Sequence, residues 1–121
     1  MKDIFLIGIG GMSGSILRYL INKNLSHIYD SFPIGTFAVN IIGCLLAGIL
    51  FKYLSLNKDI NVELSLFLIV GFCGGFTTFS AFAIDSIILL NEKKFMLFFS
   101  YTILSSILGI LFCYIGMSII K

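Results

Sequence analysis

The chain has 121 residues, 59% of them hydrophobic, with a mean hydropathy of +1.09 and a formal net charge of only +2. That length holds one domain, residues 1–121, and that composition excludes an ordinary soluble one. No basic stripe interleaved with aromatics is present, which argues against a nucleic-acid partner.

Crossing a bilayer core takes about 20 apolar residues per helix, and four runs meet that need: Ile4–Ile21, Pro33–Leu54, Leu64–Leu90 and Phe95–Ile120. Charged residues gather in the gaps between them. The first run has no small-residue cleavage site and three more spans follow it, so it is expected to remain in the mature protein rather than serve as a signal peptide. The pattern predicts an all-α membrane protein with four transmembrane helices.

In the first span, Gly10 and Gly14 are four apart, and Gly11 and Ser15 repeat the interval. Small residues at this spacing let two helices approach closely. Arg18 follows near the end of the span. A cation there faces a polar cavity, snorkels to the interface or pairs with a partner, so a place in an anion-attracting vestibule is one of its open roles. The loop after it, amid Ser26, Tyr29 and Asp30, carries His27, the only histidine. One histidine cannot build a histidine-based metal site, and an exposed one reads as solvated surface.

Pro33 opens the second span, where a first helical turn tolerates it. Asn40, about seven residues into the membrane, needs a partner for its amide. The NH2 donates either to an anion or to a carbonyl of a neighbouring helix.

The third span contains Gly71-Phe72-Cys73-Gly74-Gly75-Phe76-Thr77-Thr78-Phe79-Ser80-Ala81-Phe82, which interrupts membrane-grade hydrophobicity with glycines and hydroxyls. Irregular backbone at membrane depth survives only inside protein or beside a watery path. The segment therefore predicts a helix broken near the midplane, with freed carbonyls for a cation and half-helix N–H groups for an anion. Phe79 and Phe82 share a face of the following half-helix. Phenyl edges carry partial positive charge, so the pair either packs or offers an anion the weak contact that conduction requires. Asp85, one turn on, needs a donor or reaches an interface near Lys93 and Lys94.

The fourth span carries Ser100, Tyr101, Thr102, Ser105 and Ser106, with Tyr101 and Ser105 on one face. These hydroxyls either pass an anion along a track or bond back to helix carbonyls. Cys44, Cys73 and Cys113 each lie inside a span without paired spacing and read as small packing residues. Four spans place Lys2, Lys52, Lys58 and Lys121 on one side and Arg18, Lys23, Lys93 and Lys94 on the other. This four-to-four tally gives no orientation bias. Either another feature orients the chain or it inserts both ways, which opens an antiparallel homodimer with a two-fold axis in the membrane plane.

Together these residues resemble the CrcB/Fluc fluoride channel family. The resemblance covers nearly the whole chain: Gly-Gly-x-x-Gly-x-x-x-Arg-Tyr at Gly10–Tyr19, Gly35-Thr36 followed by Val39-Asn40-x-x-Gly43, and the most specific run, Gly74–Phe82. It implies a dual-topology, antiparallel homodimer in the bacterial plasma membrane, the cell inner membrane, that passively exports fluoride through two pores at the subunit interface. It further implies a central structural Na+ held by the Gly74 and Thr77 carbonyls of both subunits. Phe79 and Phe82 would line the pores, Asn40 would donate to an ion beside them, and Ser80 would join the polar lining. Tyr101 and Ser105 would form the hydroxyl track, and Arg18 would sit in the vestibule. Ala81 stands where the family often has a hydroxyl residue, and Gly109 where a serine is often seen; both weaken the track, not the function.

The strongest rival is a small proton-coupled multidrug exporter of four spans, which needs a carboxylate in its first helix. Residues Gly8–Leu17 contain no acid, and Asp85 is in the wrong helix. A non-transporting membrane anchor would explain the glycines but not the polar groups and rings gathered at mid-membrane. No Ser/His/Asp set, metal cluster or carboxylate pair suggests an enzyme.

Overall fold

A computed structural model of the chain describes residues 1–28, 31–57, 59 and 62–121. Tyr29, Asp30 and Lys58, used above in the loop reading and the charge tally, lie outside the described residues. The described chain is helical, without strands, in the order α1 (Lys2–Leu25), α2 (Ile34–Leu56), α3 (Val62–Ser65), a π-helical stretch (Leu66–Cys73), α4 (Gly74–Phe76), α5 (Phe79–Asn91) and α6 (Phe95–Ile119). The pieces from Val62 to Asn91 follow one another as the third of four segments long and apolar enough to cross a membrane. At 1.5 Å per residue the 23 to 25 residues of α1, α2 and α6 exceed the ~30 Å hydrocarbon core. The four spans start and stop within a few residues of the sequence-based bounds.

Lipid gives apolar helices no reason to prefer one another, so close packing must join them. Two glycine seams do so. Along the first, a Cβ at Gly10 or Gly14 would overlap the Phe67 or Phe72 carbonyl, and one at Gly71 or Gly75 would press on α1 backbone at Ile7 or Gly11. Along the second, Gly48 meets the Cys113 carbonyl and Gly116 meets the Leu45 carbonyl, pressing α2 onto α6. At one end Lys2 pairs with Glu63 at 2.6 Å, which places the starts of α1 and the third span on the same side. His27 is exposed in the turn after α1.

Gly8 lies on the same helix as Gly14, yet nothing stands within 4 Å of a Cβ built there. Gly14→Val is therefore expected to lower stability in detergent by about 1–3 kcal/mol through overpacking, whereas Gly8→Val leaves the melting midpoint in place. Equal midpoints for the two variants would show that this seam does not hold α1 to the third span.

Candidate functional site

Between α4 and α5 the backbone is extended at Thr77 (φ −82°, ψ 157°) and Thr78 (φ −150°, ψ 122°). Gly74 and Gly75 themselves remain helical. A chain leaving helical geometry inside an apolar span must find partners for the backbone groups it frees. Asn40 supplies them for Thr78: its Nδ2 donates to the Thr78 carbonyl at 3.0 Å, and its Oδ1 accepts from the Thr78 N–H at 2.7 Å. One N–H of the Asn40 amide remains beyond this clasp. Of the two roles open to Asn40 in the sequence, the structure thus shows the interhelical one.

The neighbouring groups are satisfied in turn. Thr78 Oγ1 caps α5 by accepting from the Ala81 N–H at 3.1 Å, and lies 3.2 Å from Ser80 Oγ. Thr77 donates from both its N–H and its hydroxyl to the Cys73 carbonyl, at 3.0 and 2.9 Å. Its methyl fills the space that a side chain at Gly43 would need. At the end of α4 the Gly75 carbonyl accepts from Arg18 Nε at 2.9 Å and from Ser15 Oγ at 3.4 Å. Arg18 reaches across to the third span, where its charge complements a helix C-terminus.

A cleft of about 520 Å3 opens beside these residues, between α2, the Thr77–Thr78 turn and α6. Asn40, Thr78, Phe79, Phe82 and Ser105 line it, and no charged side chain does. The Phe79 and Phe82 ring centroids are 5.6 Å apart and tilted by 40°. Phe79 is 80% exposed, so within one chain almost nothing covers it. Ser105 Oγ is buried and has no hydrogen-bond partner. The other α6 hydroxyls behave differently: Thr102 donates to the Phe98 carbonyl and Ser106 to the Thr102 carbonyl. The sequence-predicted track therefore divides: Thr102 and Ser106 bond back to α6 carbonyls, whereas the Ser105 hydroxyl is buried beside the cleft without a partner.

Tyr101 is fully buried. Its ring lies 5.1 Å from that of Phe82, and its hydroxyl donates to Asp85 Oδ2 at 3.3 Å, which gives Asp85 the donor it needs. Asp85 and Thr36 line a second, more polar cleft of about 370 Å3. Tyr101 thus joins the two clefts, touching Phe82 of the first and Asp85 of the second. Ser80 is exposed at the start of α5, and Gly74 lies on the surface, where a Cβ would make only an ordinary contact with the Ile69 carbonyl at 3.8 Å.

Chemically, the first cleft offers weak, dispersed donors: the second Asn40 N–H, the Ser105 hydroxyl and the positive edges of two rings. Among the described residues no three His, Cys, Asp or Glu side chains gather as a metal site.

Cys44 and Cys113 also line this cleft, whereas Cys73 is buried. Reading all three as packing residues missed that difference. The signal was helical arithmetic: Thr36, Asn40, Cys44 and Gly48 recur every four residues on α2, as do Tyr101, Ser105, Gly109 and Cys113 on α6.

Four segments long and apolar enough to cross a membrane, three of which line an uncharged cleft, define a multi-pass membrane protein. The chain belongs to the family described as "CrcB-like protein, Camphor Resistance (CrcB)", which matches residues 5–117. It is 45% identical to the fluoride-specific ion channel FluC of Flavobacterium psychrophilum, over 100% of this chain and 98% of that one. It is 50% identical to FluC of Bacteroides fragilis, over 92% and 90% of the two chains, and 46% identical to FluC of Phocaeicola vulgatus, over 96% of each.

Proposed function

We propose that the protein is a fluoride channel of the bacterial plasma membrane that lowers cytoplasmic fluoride by passive export, and is not an enzyme. Relatives named for that activity match it along nearly their whole length. The observation that carries the reading is the uncharged cleft uniting Asn40, Phe79, Phe82 and the unpartnered Ser105. A proton-coupled exporter needs a carboxylate at membrane depth in its first helix, and the Gly8–Leu17 stretch of α1 holds no acid, Asp3 lying in the first turn. The test is release of fluoride from proteoliposomes holding the pure protein: release exceeding that of empty vesicles is expected, and equal release overturns the proposal.

The pathway runs along the Phe79–Phe82 edges, with Asn40 donating beside them, Ser105 and Tyr101 continuing the hydroxyl lining, Ser80 at the rim and Arg18 adding positive charge nearby. The third span acts as two half-helices meeting near the midplane. Because the cleft is open on one side and Phe79 is 80% exposed, a second copy is the natural lid. The balanced lysines favour an antiparallel, dual-topology dimer with two such pathways. A cysteine introduced as His27→Cys should react with a membrane-impermeant reagent from both sides of the membrane; reaction from one side only contradicts dual topology.

Na+, a hard cation, takes oxygen ligands. Gly74 is at the surface, and the extended backbone at Thr77 turns its carbonyl out of the helical bonding pattern. Two such carbonyls from each of two chains would hold a structural Na+ on the dimer axis and neutralise the carbonyl dipoles facing each other there. A dimer equally stable when Na+ is replaced by N-methylglucamine would remove the ion from the account.

A further inference from the structure

Two thiols line the first cleft beside its amide and hydroxyls. Cys44 on α2 and Cys113 on α6 are free, half-exposed cysteines lining the same cavity. They stand on helices pressed together by bare glycine, since a Cβ at Gly48 would overlap the Cys113 carbonyl. Gly109 leaves an open position opposite Cys44, with 3.5 Å between its would-be Cβ and Cys44 Sγ. Cys113 follows Gly109 by one turn on the same face. Cys44 Sγ therefore faces bare α6 backbone one turn from Cys113, and the unpartnered Ser105 hydroxyl lies one turn to the other side of Gly109.

We infer that Cys44 and Cys113 form a dithiol trap for a soft, two-coordinate d10 cation, and that a captured ion plugs the cleft. Thiolates select soft metals over the hard Na+ and Mg2+. On capture of Hg2+, each thiol releases one proton to water and two sulfur–metal bonds form, with no change of oxidation state. Cys73 takes no part, because only 4% of it is exposed and it lies outside the cleft.

The capture itself stands on the cavity alone; the plugging rests on the proposed fluoride pathway. The test titrates the purified full-length protein with Hg2+ in the presence of excess glutathione, which outcompetes any single cysteine, and counts bound metal by intact-protein mass spectrometry. One mercury per chain is expected in the wild type and in Cys73→Ser. At least a hundredfold weaker retention is expected in Cys44→Ser and in Cys113→Ser, with alanine at either position giving the same result. Failure of the wild type to retain mercury overturns the trap, as does retention by the Cys44→Ser/Cys113→Ser double variant. In proteoliposomes, fluoride release should fall at least tenfold on adding Hg2+ and return with a dithiol chelator. Metal bound with release undiminished overturns the plugging. No release from untreated wild type would instead refute the channel reading, and the mercury count would still decide the trap.

Discussion

Asn40→Ala is expected to stop fluoride release and to destabilise the protein together. The substitution removes both hydrogen bonds that join α2 to Thr78, made at 3.0 and 2.7 Å. It leaves the N–H and C=O of Thr78 without their side-chain partner at the break in the third span. Unsatisfied buried groups cost about 1–3 kcal/mol each, so a loss of roughly 2–4 kcal/mol is expected in a detergent melting experiment. Interhelical bonds in membranes often measure less, near 0.6 kcal/mol on average, because the unfolded state finds other partners. Thr78 has fewer alternatives, because its extended backbone cannot rejoin the helix without moving Phe79 and Phe82. Asn40→Asp separates the two roles. Its carboxylate still accepts from the Thr78 N–H, but it donates nothing to the carbonyl when ionised and places a negative charge on the cleft. Fluoride release should drop by about two orders of magnitude, corresponding to roughly 2.7 kcal/mol, while part of the stability lost in Asn40→Ala returns. Normal release from Asn40→Asp would remove Asn40 from the pathway and leave it as a structural clasp.

Phe79→Ile and Phe82→Ile are the second pair, and they should differ in an informative way. Phe79 is 80% exposed and touches little besides Phe82, so exchanging its ring for an aliphatic chain should barely alter the melting of the isolated chain. Phe82 lies between the rings of Phe79 and Tyr101, at 5.6 and 5.1 Å. Its loss should cost about 0.5–1.5 kcal/mol per aromatic pair. Both variants should nonetheless lower fluoride release more than tenfold, since isoleucine offers no electropositive edge to an anion. A large functional loss without a stability loss at Phe79 is the outcome packing alone cannot produce. Undiminished release from both variants would reduce the rings to packing.

Much of the fold was legible because lipid allows so few solutions. Four apolar runs bounded by charges had to be helices, and the spans found begin and end near the expected residues. The pairing of those helices was less legible. Gly10 and Gly14 announced a close approach, but only the three-dimensional arrangement shows that Gly10 meets the backbone of Phe67, Gly71 and Phe72, and Gly14 that of Phe72 and Phe76. Asn40 declared its need for a partner without revealing which. Its partner is the backbone of Thr78, and backbone groups leave no trace in a residue pattern. Arg18 had a polar cavity, the interface and a partner all open to it, and it reaches inward to the Gly75 carbonyl; its long stem carries the guanidinium away from its own turn. The hydroxyl series on α6 could not be sorted from sequence, because bonding back to the carbonyl one turn earlier depends on side-chain rotamers. Thr102 and Ser106 do so, and Ser105 does not.

Conduction here is proposed to be both passive and fluoride-carrying, and one measurement addresses both properties. Proteoliposomes holding the pure protein are loaded with potassium fluoride and placed in fluoride-free medium under a fluoride electrode. A passive anion channel cannot release net charge, so release should stall until valinomycin lets K+ leave with it, and should then run far ahead of vesicles without protein. Chloride loaded in place of fluoride should stay inside. The account is contradicted if fluoride leaves no faster than from empty vesicles after valinomycin is added, or if the protein instead exchanges a lipophilic cation for protons.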